Sequence, residues 1–282
     1  MTRALGLRWR DGRPVLAWER GRVSPLAYGR EIGFRAVGER RCAGARGNPC
    51  ALGALVTGRS TGGLCPECAR LERAHSVAAD TVADDPRTYR VYLAWFGPGM
   101  VKVGITAEER GDARLLEQGA VAFTWLGRGP LMAARRTEGV LGTALGVPDR
   151  IPYAAKRAAR VALPGVRERA AEVEALYRRT LGVPGWEETL ERMEARVVDH
   201  VGVFGLEGVD GIDGVVRELV AGGDVRGVVA GVAGPDVHLV DSGGRRLVLD
   251  TRLLKGWDLV AGGEGVTVPV VRGEKGAQGG LF

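Results

Sequence analysis

The sequence predicts an α+β protein: a small antiparallel sheet with flanking helices, preceded by a β-rich module that carries cysteines and followed by a small β-rich element. Three observations predict it. Two runs of β-branched and aromatic residues, Tyr89–Phe96 and Met100–Thr106, are joined by Gly97, Pro98 and Gly99, a hairpin signal. Apolar residues at helical spacing run between Pro130, where a helix accepts its first-turn proline, and Gly146, where one commonly ends. Four cysteines, Cys42, Cys50, Cys65 and Cys68, fall in one short stretch and occur nowhere else.

The 282 residues are 45% hydrophobic and 26% charged, which gives room for two or three modest domains. The first residues have no apolar core long enough for a secretory signal, and no later run approaches a membrane span, so the expected location is cytoplasmic, without a membrane partner. From Met1 to His75 there are fourteen arginines, no lysine and six acids. That segment is therefore near +8 and the remainder near −2, within a net charge of +6. Arginine without lysine suits planar recognition of phosphate, and GC-rich coding favours it equally.

Short strand-like pieces, Leu5–Trp9, Val15–Trp18 and Ile32–Val37, hardly make a core alone. The cysteines, in the pattern C-x7-C-x14-C-x2-C, offer what is missing. The two-residue spacer of LCPEC lets both sulfurs reach one tetrahedral ion, and Gly44, Gly47 and Pro49 suit a turn in the wider first spacer. Structural Zn²⁺ on Cys42, Cys50, Cys65 and Cys68 would supply folding free energy, with a disulfide or free thiols as alternatives. His75 is either a further ligand or a solvent-facing histidine. Ala74–Pro86 reads as a short helix and linker.

After the hairpin comes a polar stretch, Ala107–Gln118, in which Arg110 and Arg114 would share one face if it is helical. A third apolar run, Ala120–Leu126, adds a strand. In the helix that follows, Leu131, Ala134, Glu138, Leu141 and Leu145 form one row, so Glu138 points inward. A carboxylate in a core must be paired, hydrogen-bonded or bound to a cation. Arg135 is an available partner, and a rolled helix would leave Glu138 at the rim.

These residues resemble a family. Val91-Tyr92-Leu93, then Lys102-Val103-Gly104-Ile105-Thr106, an arginine helix, a third strand and a helix carrying Glu138 look like the GIY-YIG nuclease core, in its variant whose second motif reads KVG. VKVGIT, RLLEQGA and RRTEG, preceded by a cysteine cluster, look like an uncharacterised bacterial family, DUF2797, assigned to that superfamily. The resemblance implies a three-stranded antiparallel sheet with flanking helices and a divalent-metal-dependent phosphodiesterase acting on DNA or RNA. It implies that Tyr92 helps activate the nucleophile, Arg114 neutralises the scissile phosphate and Glu138 holds Mg²⁺ or Mn²⁺. Lys102 stands where the family's second tyrosine would be, as a phosphate-binding cation, a base or an ordinary strand lysine. No histidine lies between Val77 and Asp199. Arg110, Arg114 and Lys102 are the expected nucleic-acid contacts. The alternatives are a non-catalytic, zinc-containing nucleic-acid-binding protein with a degenerate GIY-YIG fold, or a protein interaction scaffold.

Beyond this core, Ile151–Arg160 presents Lys156, Arg157 and Arg160, either a solvated face or an extension of a nucleic-acid surface. Val166–Thr180 and Trp186–His200 both show helical spacing, separated by Pro184. From Val225 the period shortens, and Val225–Val232, Val237–Val240, Arg246–Asp250 and Val266–Val271 read as strands of a small sheet. Trp257 reads as core as readily as a stacking residue. The expected organisation is 1–75, an arginine-rich zinc module; 76–200, the GIY-YIG-like core with trailing helices; 201–272, a β-rich element; and 273–282, a disordered tail.

Overall fold

In a computed structural model that describes residues 2–74, 85–148, 150–209 and 211–273, the short apolar pieces of the N-terminal segment are strands. They are β1 (Thr2–Arg10), β2 (Arg13–Trp18), β3 (Val23–Pro25) and β4 (Glu31–Val37). Asp11 and Gly12, both at positive φ, turn β1 into β2 as a tight hairpin requires. An irregular stretch then carries the cysteines into α1 (Pro66–Ala74). The predicted hairpin follows as β5 (Thr88–Gly97) and β6 (Met100–Ala107). Next come α2 (Ala113–Gln118), β7 (Ala122–Pro130), α3 (Leu131–Leu145), α4 (Tyr153–Ala159) and α5 (Val166–Leu181). Two short strands, β8 (Glu191–Arg192) and β9 (Val198–Asp199), lead to α6 (Val201–Phe204). The chain ends in β10 (Gly214–Val216), β11 (Asp224–Ala233), β12 (Asp236–Val240), β13 (Arg246–Asp250), β14 (Asp258–Ala261) and β15 (Val270–Arg272). His75 and residues 274–282 lie outside the described residues. Among the described residues no helix is long and apolar enough to cross a membrane.

The chain is α+β and divides into two compact units, Met1–Thr81 with Gly211–Phe282, and Val82–Asp210. In the first, ten strands run in the order β15-β10-β13-β12-β11-β4-β14-β1-β2-β3. All the pairs are antiparallel except β10 with β13. The two β-rich segments that the sequence sets apart are thus hydrogen-bonded into one sheet. β4 lies between β11 and β14, with Phe34 opposite Val225 and Ala36 opposite Leu259. Each segment alone would leave unpaired edges, which the other covers. Three arginines of the basic segment meet acids of the C-terminal one: Arg3 with Asp258, Arg35 with Asp224, and Arg59 with Glu218. Part of the N-terminal charge excess is therefore neutralised within the fold. Trp257 is buried core.

The second unit is built on β6-β5-β7-β8, all antiparallel, with β9 also on β7. β5 is covered on both faces, which is why Val91–Phe96 is continuously apolar rather than alternating. Val91, Leu93 and Trp95 pack with Leu131, Ala134, Leu141 and Val173 of α3 and α5, while Tyr92, Ala94 and Phe96 pack with Leu115, Ala120 and Phe123. The turn of the hairpin is held by α5. Glu172 accepts from the buried Trp95 indole (2.7 Å) and from the Gly99 amide (3.0 Å). Glu172→Ala would orphan that indole and is expected to lower the unfolding free energy by about 1–3 kcal/mol. Urea unfolding measures this, and a loss indistinguishable from zero would mean that the turn is held by something else.

One predicted helix is absent. Residues 186–200 hold no helix: a turn over 187–190 is followed by extended chain, with β8 and β9 lying against β7. The spacing of Leu190, Met193 and Val197 is helical by coincidence. Gly127 and Gly129 of β7 let this segment come so close that a Cβ on either would fall 2.7–2.8 Å from Leu190 or Thr189. Leu190 and Val197 still reach the core, without a helix.

Candidate functional site

Tyr92 is 1% exposed and faces α2. Its ring lies across the neighbouring strand at Gly104, its cross-strand partner. A Cβ on Gly104 would stand 2.3 Å from the hydroxyl oxygen and 2.4 Å from Cζ, so no other residue fits the third position of KVG without moving the ring. β6 is the edge strand, so the ring reaches from β5 over the outermost strand of the sheet, where it stays buried. There Gln118 of α2 donates Nε2–H to the Tyr92 oxygen at 2.8 Å. Burial raises the phenol pKa above its ordinary value, the Gln118 hydrogen bond and the Arg114 guanidinium pull it down, and the Glu138 carboxylate pushes it up. The phenol is therefore neutral at physiological pH. Arg114 and Glu138, far from Tyr92 in sequence, both act on it here.

Each side chain is delivered by a separate element. In the α3 row, Leu131, Ala134, Leu141 and Leu145 are buried and Glu138 is half-buried at the rim. Lys102 faces Ala94 in the ladder, two rungs from the Tyr92–Gly104 pair and so on the same face. Arg110 and Arg114 do not share one helix, because a single 3-10 turn, Glu108–Arg110, ends at Gly111 before α2 begins. They converge all the same on Glu117, Arg110 at 2.8 Å and Arg114 at 3.9 Å, and both remain substantially exposed.

Two cations that the sequence offered to a nucleic-acid surface are interior. Lys156 lies over the Phe96 ring (3.7 Å) and donates to the Gln118 carbonyl (3.1 Å), and Arg160 donates to the Gly119 carbonyl (3.3 Å). They cap the C-terminus of α2, whose carbonyls need donors and favour positive charge. His200, just past the interval that lacked histidine, is 1% exposed between Phe123 and Phe204. Its Nδ1 donates to the Ala120 carbonyl (2.9 Å), and Nε2 stands 3.6 Å from Asp112, the residue that opens α2. The nearby His200 imidazole is the main influence holding the Asp112 pKa below the usual carboxylate range. No motif marks His200, and Gln118, although it lies in the RLLEQGA stretch, is given no role by it. Both are found by what they touch.

The second cluster is in the other unit. Cys42, Cys50, Cys65 and Cys68 bring their sulfurs within 4.8 Å of one another, all buried or half-buried. Cys50 and Cys65 are 3.9 Å apart, not bonded to each other. Four thiolates around an ion at about 2.3 Å would be spaced about 3.8 Å apart. The Cys42 sulfur accepts from the amides of Gly44 (3.4 Å) and Cys65 (3.1 Å), as metal thiolates commonly do. Amide donation, above all from Ala54, draws the Cys50 pKa down to about 6, while burial pushes Cys68 up. Four soft donors at this spacing fit one tetrahedral metal ion.

A family model described as "Protein of unknown function (DUF2797)" matches residues 29–259, spanning most of the chain and both clusters. No curated protein and no solved structure matches it.

Proposed function

We propose that this chain, which belongs to the DUF2797 family of proteins of unknown function, acts on the phosphodiester backbone of DNA or RNA as a GIY-YIG-like, divalent-metal-dependent phosphodiesterase. The observation that carries this reading is the convergence of Tyr92, Gln118, Arg114 and Glu138 where the Tyr92 ring crosses Gly104 of KVG. Arg114, half exposed, is suited to bind phosphate through its planar fork. Lys102 adds a second cation on that face. Tyr92, kept neutral by burial, orients groups by hydrogen bonding at its oxygen instead of taking a proton as phenolate. Glu138 is the residue that would hold Mg²⁺ or Mn²⁺, and such an ion supplies Lewis-acid stabilisation of charge on the phosphoryl oxygens. The four cysteines, in the other unit, would hold a structural Zn²⁺.

End-labelled single-stranded, duplex and branched DNA and RNA, incubated with Mg²⁺ or Mn²⁺, test the reading. Wild type should yield metal-dependent products that fall by about 10²-fold or more in Glu138→Gln, with strand binding retained. Wild type inert on every substrate would end the enzymatic reading. One observation favours a second reading, binding without cleavage: the 1% exposure of Tyr92 gives a nucleophile little access to its oxygen. In that case strands shift without being cut, binding weakens steeply with salt, and Arg114→Ala weakens it without regard to sequence.

A further inference from the structure

α2 is six residues long, too short to hold its own place, yet it brings Arg114 and Gln118 to Tyr92. Its C-terminal end is held by Lys156 and Arg160. Its start is Asp112, whose carbonyl accepts from the amides of Leu115 (2.8 Å) and Leu116 (3.0 Å). An aspartate there commonly turns its carboxylate onto the first-turn amides. That of Asp112 makes no cap bond with α2 and stands 3.6 Å from His200 Nε2.

His200 is fixed from the other side. Its amide donates to the Val121 carbonyl (2.7 Å), and its ring lies between Phe123 and Phe204. A carbonyl can only accept, so Nδ1 carries a proton towards Ala120. Nε2 is buried without a hydrogen-bond partner. Unprotonated, it would present a lone pair to the Asp112 carboxylate. Protonated, it would present an N–H, which a small rotation of the half-exposed Asp112 brings within bonding distance. β7 and α6 meet the ring with Phe123 and Phe204. Asp199, its neighbour in sequence, is paired with Arg169 of α5 (2.7 Å), and Lys156 and Arg160 donate to the carbonyls of Gln118 and Gly119. Among the described residues, Asp112 is the carboxylate within ion-pair distance of the imidazole.

We propose that His200 is a positioning residue of this site: a proton on its Nε2 clasps Asp112 and so sets α2, with Arg114 and Gln118, against Tyr92. The inference rests on the reading of Tyr92 and Arg114 as a phosphodiester site. Asp112 is ionised throughout the range in which imidazoles titrate, because His200 holds its pKa low. The clasp is therefore closed at mildly acidic pH and opens as pH rises and the imidazole gives up its second proton. The full chain tests this across about pH 5–8, where imidazoles change charge. Two signals are read: the Gln118 side-chain amide resonance, which reports the bond to Tyr92 without any substrate, and binding of end-labelled single-stranded DNA and RNA at fixed salt. In wild type both should follow the His200 imidazole resonance. Binding should weaken about 10-fold as the clasp opens, the scale of one charge-assisted hydrogen bond. Asp112→Asn should lose the pH dependence and stay near the wild-type acidic state, because its amide can donate to a neutral Nε2 and its carbonyl can accept from a protonated one. Asp112→Ala should be open at every pH. Both variants alter a half-exposed side chain and leave the buried imidazole in place. An Asn variant with the wild-type pH profile overturns the proposal and leaves the phosphodiester reading standing, as does a wild type whose Gln118 resonance or strand binding ignores pH. A resonance that follows the clasp while no variant binds either strand at any pH overturns that reading, and with it the role given to His200.

Discussion

Gly104→Ala is expected to destabilise the unit that contains it by about 1–3 kcal/mol, the usual range for overfilling a packed interior, and to abolish whatever the Tyr92 site does. The added Cβ would stand 2.3–2.7 Å from the ring and hydroxyl of Tyr92. The ring has nowhere to step: it is 1% exposed, edge-on to Trp125 and tied to Gln118. Tyr92→Phe would not relieve the clash, since Cζ and Cε2 remain. Tyr92→Leu would. A double-mutant cycle on urea unfolding should therefore find Gly104→Ala much cheaper in the Tyr92→Leu background, with a coupling of about 0.5–3 kcal/mol. Equal costs in both backgrounds would show that the glycine answers to something other than the ring.

Removal of metal should have the larger structural effect. Elemental analysis is expected to return one divalent ion per chain, and apparent stabilities of about 10–16 kcal/mol for zinc-finger peptides indicate that only strong chelators will extract it. Once it is removed, hydrogen-exchange protection should be lost over residues 40–74, where irregular chain and α1 are organised around four sulfurs. β4 should stay protected, because β11 and β14 flank it and hold it from both sides. Cys68→Ser should reproduce the chelated state. Protein purified without added metal that holds well under half an ion per chain, or a 40–74 segment that ignores chelation, would exclude a structural centre.

What the sequence disclosed was local. The hairpin was legible because Gly97, Pro98 and Gly99 sit between two β-prone runs, and α3 because Pro130 and Gly146 punctuate an apolar row. The cysteine cluster was legible as spacing, and the fourfold proximity of its sulfurs agrees with it. Periodicity failed at 186–200, where three apolar residues match a helix by accident and paired glycines on β7 favour a strand instead. β10 and β14 are only three and four residues long, too short for any period to register. The pairing of β4 with β11 and β14 joins residues about two hundred positions apart, and no local rule reports that. At the candidate site, Tyr92, Arg114 and Glu138 were legible through a motif. Gln118 sits inside RLLEQGA without its role being marked there, His200 carries no motif, and Lys156 and Arg160 look like surface charge until α2 is found ending against them.

The interleaved order of the ten-stranded sheet has a consequence for the protein's birth on the ribosome. β1 and β4 emerge first, yet the strand between them, β14, is made near the end, after the whole of the Val82–Asp210 unit. The contiguous unit can fold as soon as it clears the exit tunnel. The early strands must wait for most of the chain with their edges open, which is the state in which strands find wrong partners. An ion captured early by the nascent cysteine loop would shelter part of that waiting segment. Synthesis under metal starvation should therefore depress the yield of folded protein more than chelation of the finished molecule does.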